Sequence, residues 1–155
     1  MAGPLKTGKV KTKSGIRKKR IAIIVAEWNS EITEALYASS LSSLLDHGVQ
    51  KSHVIRKNVP GTFELSLAAL WMAERKNIDA VICLGCVIQG ETPHFDYICQ
   101  GVAHGLTEVA LKTKKPVIFG VLTTLNSQQA SDRAGGKFGN KGEEAALTAL
   151  RMLDF

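Results

Sequence analysis

The side chains best suited to chemistry in this chain stand in short polar stretches that follow apolar runs. In "LGCVIQGETPHFDY", Leu84 to Tyr97, an apolar run stops at a glycine and His94 follows a Thr-Pro pair. Thr92 can cap a helix there with Pro93 as its first residue, which leaves His94 in the opening turn. A helix N-terminus carries unpaired N–H groups and partial positive charge, so it attracts phosphate or carboxylate and disfavours imidazolium. A neutral imidazole so placed can take and give a proton near pH 7, as a general acid and base must. The plainer alternative is that His94 only caps its own helix; His47, His53 and His104 read as structural.

Other candidates have the same two-sided character. Trp28, where an apolar run breaks off, offers a flat surface for a heterocycle, and Asn29 beside it can bond polar edges; core packing is the rival explanation. Glu64 follows Phe63 in the opening turn of a helix, where the dipole favours a carboxylate whether or not it does anything else. Arg133 and Lys141 flank a glycine-rich link that contains Lys137, and they supply the cations an anionic substrate requires. Cys83 and Cys86 form a C-x-x-C, but residues three apart on a strand point to opposite faces and cannot bridge easily. With Cys99 as the third cysteine there is no second pair for a zinc site, so all three read as small core residues and no metal is expected. Neither a GxxxxGK[ST] loop nor a GxGxxG after the first strand occurs, which disfavours nucleotide cofactors.

Alternating elements must position these groups. "RIAIIVAEW", "SHVIRKNV", "AVICLGCVI" and "PVIFGVLTT" read as four strands. Helices follow each: one capped at Asn29-Ser30 and ended by Gly48, and one through "TFELSLAALWMAERK" with Phe63, Leu67, Leu70 and Trp71 at helical spacing. A third starts near Pro93 with Phe95, Ile98, Cys99, Val102, Leu106 and Val109 on one stripe. A short one spans about 127–134, and a last one starts at Asn140, where Asn140 with Glu143 resembles a capping box. Nearly all-apolar strands alternating with helices predict an α/β fold: a doubly wound, flavodoxin-like three-layer sandwich with a four-stranded parallel sheet. In such sheets ligands bind outside the carboxyl ends of the strands, so "EWNS", "VPGTFE", "VIQGETPH" and "VLTTLN" converge on one rim.

The 155 residues suit one domain. The net charge of +6 hints at nucleic acid, but eight of the twenty basic residues fall within the first twenty positions, which hold no acid. The remainder carries 12 basic against 14 acidic residues, so the basic character reads as that of a tail. Residues 1–19 are expected to form a flexible solubilising arm, with polyanion binding or a short targeting role as alternatives, and residues 20–155 the domain. The arm lacks the apolar centre of a secretory signal, and no apolar run reaches membrane-spanning length. A cytoplasmic protein without membrane partners is expected, with nucleic acid at most a non-specific contact of the arm.

"VPGTFE", "GCVIQGETPHFDY", "FGVLTT" and "DRAGGKFGNKGEEAA", in order and at family spacing from about Arg20 to the end, resemble the 6,7-dimethyl-8-ribityllumazine synthases of riboflavin synthesis. The resemblance implies a cofactor-free condensation of 5-amino-6-(D-ribitylamino)uracil with 3,4-dihydroxy-2-butanone 4-phosphate, which gives the lumazine, phosphate and water. It makes His94 the proton-transfer residue and Trp28 the ring that stacks on the pyrimidine, with Asn29 beside it. Thr62, Phe63 and Glu64 then hold the pyrimidine and ribityl chain, Cys86, Val87 and Ile88 line its pocket, and Glu91 with Thr92 lies at the phosphate loop. Arg133 grips the phosphate. Phe119 and Arg133, with Lys141 nearby, come from a neighbouring subunit of a pentamer or a multiple of pentamers, and the short Gly-rich link points to a hollow shell of sixty. Gln89 stands where many relatives carry Arg, and Leu125 where an acidic residue is common. The competing readings are a related enzyme that dismutates the lumazine to riboflavin, and a non-catalytic flavin-binding or shell-forming protein.

Overall fold

The structure, a computed structural model, describes residues 15–155. Most of the expected arm, residues 1–14, lies outside the described residues. Four strands, β1 (Ile21–Ala26), β2 (Val54–Val59), β3 (Ala80–Ile88) and β4 (Val117–Thr124), pair in the order β2-β1-β3-β4, all parallel. The helices are α1 (Ser30–Asp46), α2 (Leu65–Ala73), α3 (His94–Thr113), α4 (Ser127–Ser131) and α5 (Lys141–Leu153). A hairpin of β5 (Ala134–Gly136) and β6 (Gly139–Asn140) separates the last two. β1 is buried along its whole length, as a strand covered on both faces must be.

The sheet divides the core in two. Ile21, Ile23, Val25, Ile82, Leu84 and Leu122 face α1 and α5, whereas Ala22, Ile24, Val81 and Val121 face α2 and α3. Cys86 belongs to the first layer and Cys83 to the second, so the C-x-x-C pair does point to opposite faces. The chain is therefore the expected three-layer sandwich.

α2 departs from its expected face. It starts at Leu65, and it buries Leu65, Ala68, Ala69, Met72 and Ala73, leaving Leu70 half-buried and Phe63, Leu67 and Trp71 exposed, Trp71 by 61%. Small side chains let the helix approach the sheet and α3 closely; a Cβ on Gly105 would lie 2.5 Å from the Ser66 hydroxyl. The bulky stripe is thus turned outward, an apolar patch of the kind that marks interaction surfaces. Along α3 only Val102, Leu106 and Val109 are fully buried; Phe95, Ile98 and Cys99 are half-covered.

The ends of elements refine other expectations. Asn29 precedes α1 in left-handed backbone (φ 58°), and its side chain does not cap the helix. Asn140 does cap α5, its Oδ1 accepting from Gly142 N at 2.8 Å while its Nδ2 donates to Ala35 O at 3.1 Å. The Gly-rich link turns on Gly139, at φ +75°, a conformation that an L side chain resists. Residues 15–19, given to the arm by their charge, are docked. Ile16–Lys18 form a 3-10 turn, Ile16 is 7% exposed against Gly48, and Lys19 pairs with Asp79 at 3.2 Å. One apolar residue within a basic run is enough to anchor it, and a charge count does not see it.

Candidate active site

Because all four strands are parallel, the loops after β1, β2 and β3 meet at one rim. Glu27 N donates to Val59 O at 2.9 Å and Trp28 N to Pro60 O at 3.2 Å, which fixes the turn after β1 to the end of β2. Trp28 lies over Gly61, with its ring carbon Cε3 3.7 Å from where a Cβ would be, and is 70% exposed. It is therefore a presented surface and not a core residue. Asn29 Nδ2 donates to Cys86 O at 2.9 Å, tying the end of β1 to the end of β3.

Thr62 is buried against Gly85, where an added Cβ would lie 2.8 Å from its Oγ1. Phe63 reaches across to α3, 3.3 Å from the place a Gly101 Cβ would take. Glu64 turns back and accepts from Gly61 N at 3.0 Å through Oε2, which leaves its other oxygen free among the described residues. Cys86 is buried and Val87 and Ile88 half-buried at the end of β3. Burial pushes the Cys86 thiol up to about 11, so it stays protonated and serves as a small apolar wall.

Glu91, Thr92 and His94 are all exposed. α3 begins at His94, preceded by Pro93, and no side chain caps it; Thr92 does not take the expected role. The His94 imidazole has no hydrogen-bond partner among the described residues, so it is not a helix cap. The N–H groups of Gly90, Glu91, Thr92 and Phe95 also have no partner among the described residues, while Gln89 N continues the sheet to Thr124 O at 2.9 Å. An unengaged imidazole beside a cradle of free donors can serve an anion and a proton transfer together.

The remaining candidates are elsewhere. Phe119, 43% exposed on the open edge strand β4, lines a groove of about 930 Å³ with Arg133, Lys141, Glu144 and Thr123. Arg133 spends one donor on Gln129 O at 2.9 Å, and its guanidinium stands 5.0 Å from the Phe138 ring centre. Lys141 is held by Glu144 at 2.8 Å, a partner the spacing did not reveal, so Arg133 is the freer cation. None of the rim residues from Trp28 to His94 lines this groove. One chain thus carries two separate constellations, the exposed Trp28 and the unengaged His94 imidazole at the β1–β3 rim, and a cationic set beside β4. Gln89 is exposed beside the first, and Leu125, also exposed, follows β4.

The family model for 6,7-dimethyl-8-ribityllumazine synthase matches residues 18–155. The chain belongs to this family. It is similar to the 6,7-dimethyl-8-ribityllumazine synthase of Cytophaga hutchinsonii, with 69% identity over 131 residues, 84% of this chain and 82% of that one. Similarity to the synthase of Porphyromonas gingivalis is 57% identity over 133 residues, covering 86% and 83%, and to that of Parabacteroides distasonis 54% over 135 residues, covering 87% and 84%. The region that the lumazine synthase model matches begins within the first described element, Ile16–Lys18.

Proposed function

We propose that this chain condenses 5-amino-6-(D-ribitylamino)uracil with 3,4-dihydroxy-2-butanone 4-phosphate to 6,7-dimethyl-8-ribityllumazine, releasing phosphate and water. The observation that carries the reading is the unpartnered imidazole of His94 at an uncapped helix N-terminus, in a chain that matches the family along its folded body. The amine of the pyrimidine attacks the ketone, phosphate and water leave, and the second ring closes. Each step moves a proton, and His94 is the group placed to carry it. Trp28 stacks on the pyrimidine, and Thr62, Phe63 and Glu64 with Cys86, Val87 and Ile88 hold it and the ribityl chain in line for attack. The free N–H groups around Glu91 and Thr92 receive the phosphate, and Arg133 of an adjoining subunit closes on it with Phe119 and Lys141.

The separation of the two constellations within one chain supports a site shared between neighbours in a pentamer. The short β5–β6 link favours twelve pentamers in a closed shell. Three free cysteines suit a cytoplasmic enzyme.

Mixing the protein with both substrates and following lumazine absorbance and fluorescence tests the reaction. Lumazine formed only from the pair supports it, riboflavin formed from lumazine alone assigns the dismutase, and an inert but assembled particle assigns a shell protein. The shared site has its own test. Co-assembled His94→Ala and Arg133→Ala subunits recover activity that neither has alone, and failure to do so in verified mixed particles places each site within one chain.

A further inference from the structure

The body is close to neutral, yet its charges are sorted by the direction of the sheet. At the rim where the strands begin, the segments 15–20, 46–53, 74–79, 112–116 and 151–155 hold eleven basic and four acidic side chains. At the opposite rim, the segments 27–31, 60–64, 89–96 and 125–144 hold three basic and eight acidic ones. The first group is one surface. Asp79 N donates to Arg20 O at 2.8 Å, Val81 N to Pro116 O at 2.9 Å, Lys115 Nζ to Arg75 O at 2.7 Å and, with its Nδ1 protonated, His53 to Arg17 O at 3.0 Å.

Part of this charge is accounted for locally. Lys19 pairs with Asp79, and Lys112 lies 3.8 Å from Glu74. The helices run against the strands, so α1, α2, α3 and α5 end here, and their dipoles contribute roughly −0.5 each, about −2 in all. That offsets less than half of the surplus. Arg17, Lys18, Lys51, Arg75, Lys76 and Lys114 remain exposed with no ion pair among the described residues.

We propose that this rim is a binding face for the phosphate backbone of nucleic acid, on the side of the sheet away from the candidate active site. A protein partner would need apolar anchors at the centre of its contact, whereas the exposed apolar side chains of these segments, Met152 and Phe155, stand at the end of α5 and the four loops that lead into the strands bury Ile16, Val49 and Ile78. Those loops carry no Phe, Tyr or Trp, and Phe155 at the end of α5 is a single ring and not a row on which successive bases could stack, so binding follows backbone charge and not sequence. The sequence carries further positive charge upstream in Lys6, Lys9, Lys11 and Lys13.

Fluorescence anisotropy with a labelled thirty-nucleotide polyuridine and the intact chain tests the proposal. About five neutralised phosphates give a slope near −3.5 in log affinity against log salt, so affinity falls about a hundredfold between 50 and 200 mM salt. A Lys51→Ala, Arg75→Ala, Lys76→Ala, Lys114→Ala variant, which touches no candidate site residue, retains condensation activity and loses roughly two to three units of that slope. Deleting residues 1–13 lowers the slope separately. Single-stranded DNA of equal length binds alike, and polyglutamate binds more weakly. Three results overturn the proposal: no salt-dependent binding by the intact chain, unchanged binding by the fourfold rim variant, or a preference for polyglutamate over polyuridine.

Discussion

Asn29 offers a direct test of how the rim is built, because two properties of one residue can be separated. Its backbone is left-handed (φ 58°, ψ 47°) and its Nδ2 donates to Cys86 O at 2.9 Å. Asn29→Gly keeps the backbone relaxed and removes only the bond, a loss of about 0.5–1.5 kcal/mol. Asn29→Ala removes the bond and also the short polar side chain that lets Asn tolerate left-handed backbone, which costs other L residues about 1–2 kcal/mol, giving roughly 1.5–3.5 kcal/mol. Urea unfolding at one fixed protein concentration reads both values, and their difference isolates the strain. Because Trp28 is the adjacent residue, both variants raise KM for the pyrimidine substrate more than they lower kcat. Equal stability of the two variants would refute the backbone argument, and stability of both within about 0.5 kcal/mol of the parent chain would refute the tie to β3 as well.

His94→Ala is expected to slow condensation ten- to a thousandfold (roughly) with assembly intact, since the exposed imidazole packs against no core; unchanged turnover at saturation removes it from the mechanism. Cys83 and Cys86 resist a disulfide reagent at pH 8 until the chain unfolds, Cys99 reacting first, and rapid labelling of all three contradicts the burial assigned to them. Burial raises the Cys86 thiol from 9.0 to about 11, so its contribution to stability is whole below about pH 9 and is lost as pH climbs toward 11, a loss that Cys86→Ser lacks. Deleting residues 1–13 leaves urea stability unchanged, whereas deleting 1–19 removes buried Ile16 and costs about 1.5–3 kcal/mol; equal effects from both deletions refute the docked turn. Native mass should report a particle of megadalton order, and a persistent pentamer would refute the shell alone.

The sequence reveals whatever depends on local pattern. Continuous apolar runs alternating with helices give the parallel sheet, and Thr-Pro-His gives a helix expected from Pro93 and found from His94, because both follow from short-range geometry. The face of α2 was not legible, since Ala68, Ala69 and Met72 compete with Phe63, Leu67 and Trp71, and only the close approach to α3 decides which set is buried. The cap at Asn29 also failed as an expectation. Its side chain finds a carbonyl 57 residues away, and no local rule can weigh that bond. Lys141 reads as a cation for an anionic substrate, and its pairing with Glu144 is seen only when their side chains are placed.

Two exposed features of the isolated chain bear on how catalysis and assembly are linked. β4 leaves an eight-residue edge beside the groove that holds Phe119 and Arg133, and α2 turns Phe63, Leu67 and Trp71 outward. Open edges and apolar patches of this kind invite a second chain. In the proposed arrangement that second chain joins the two constellations, so a substrate bound across them holds the contact together. At a hundred times its dissociation constant such a ligand adds about 2.7 kcal/mol to the contact it spans. Dilution therefore removes activity before it unfolds the subunit, and substrate or product protects against that loss while a phosphate analogue that reaches only Arg133 does not.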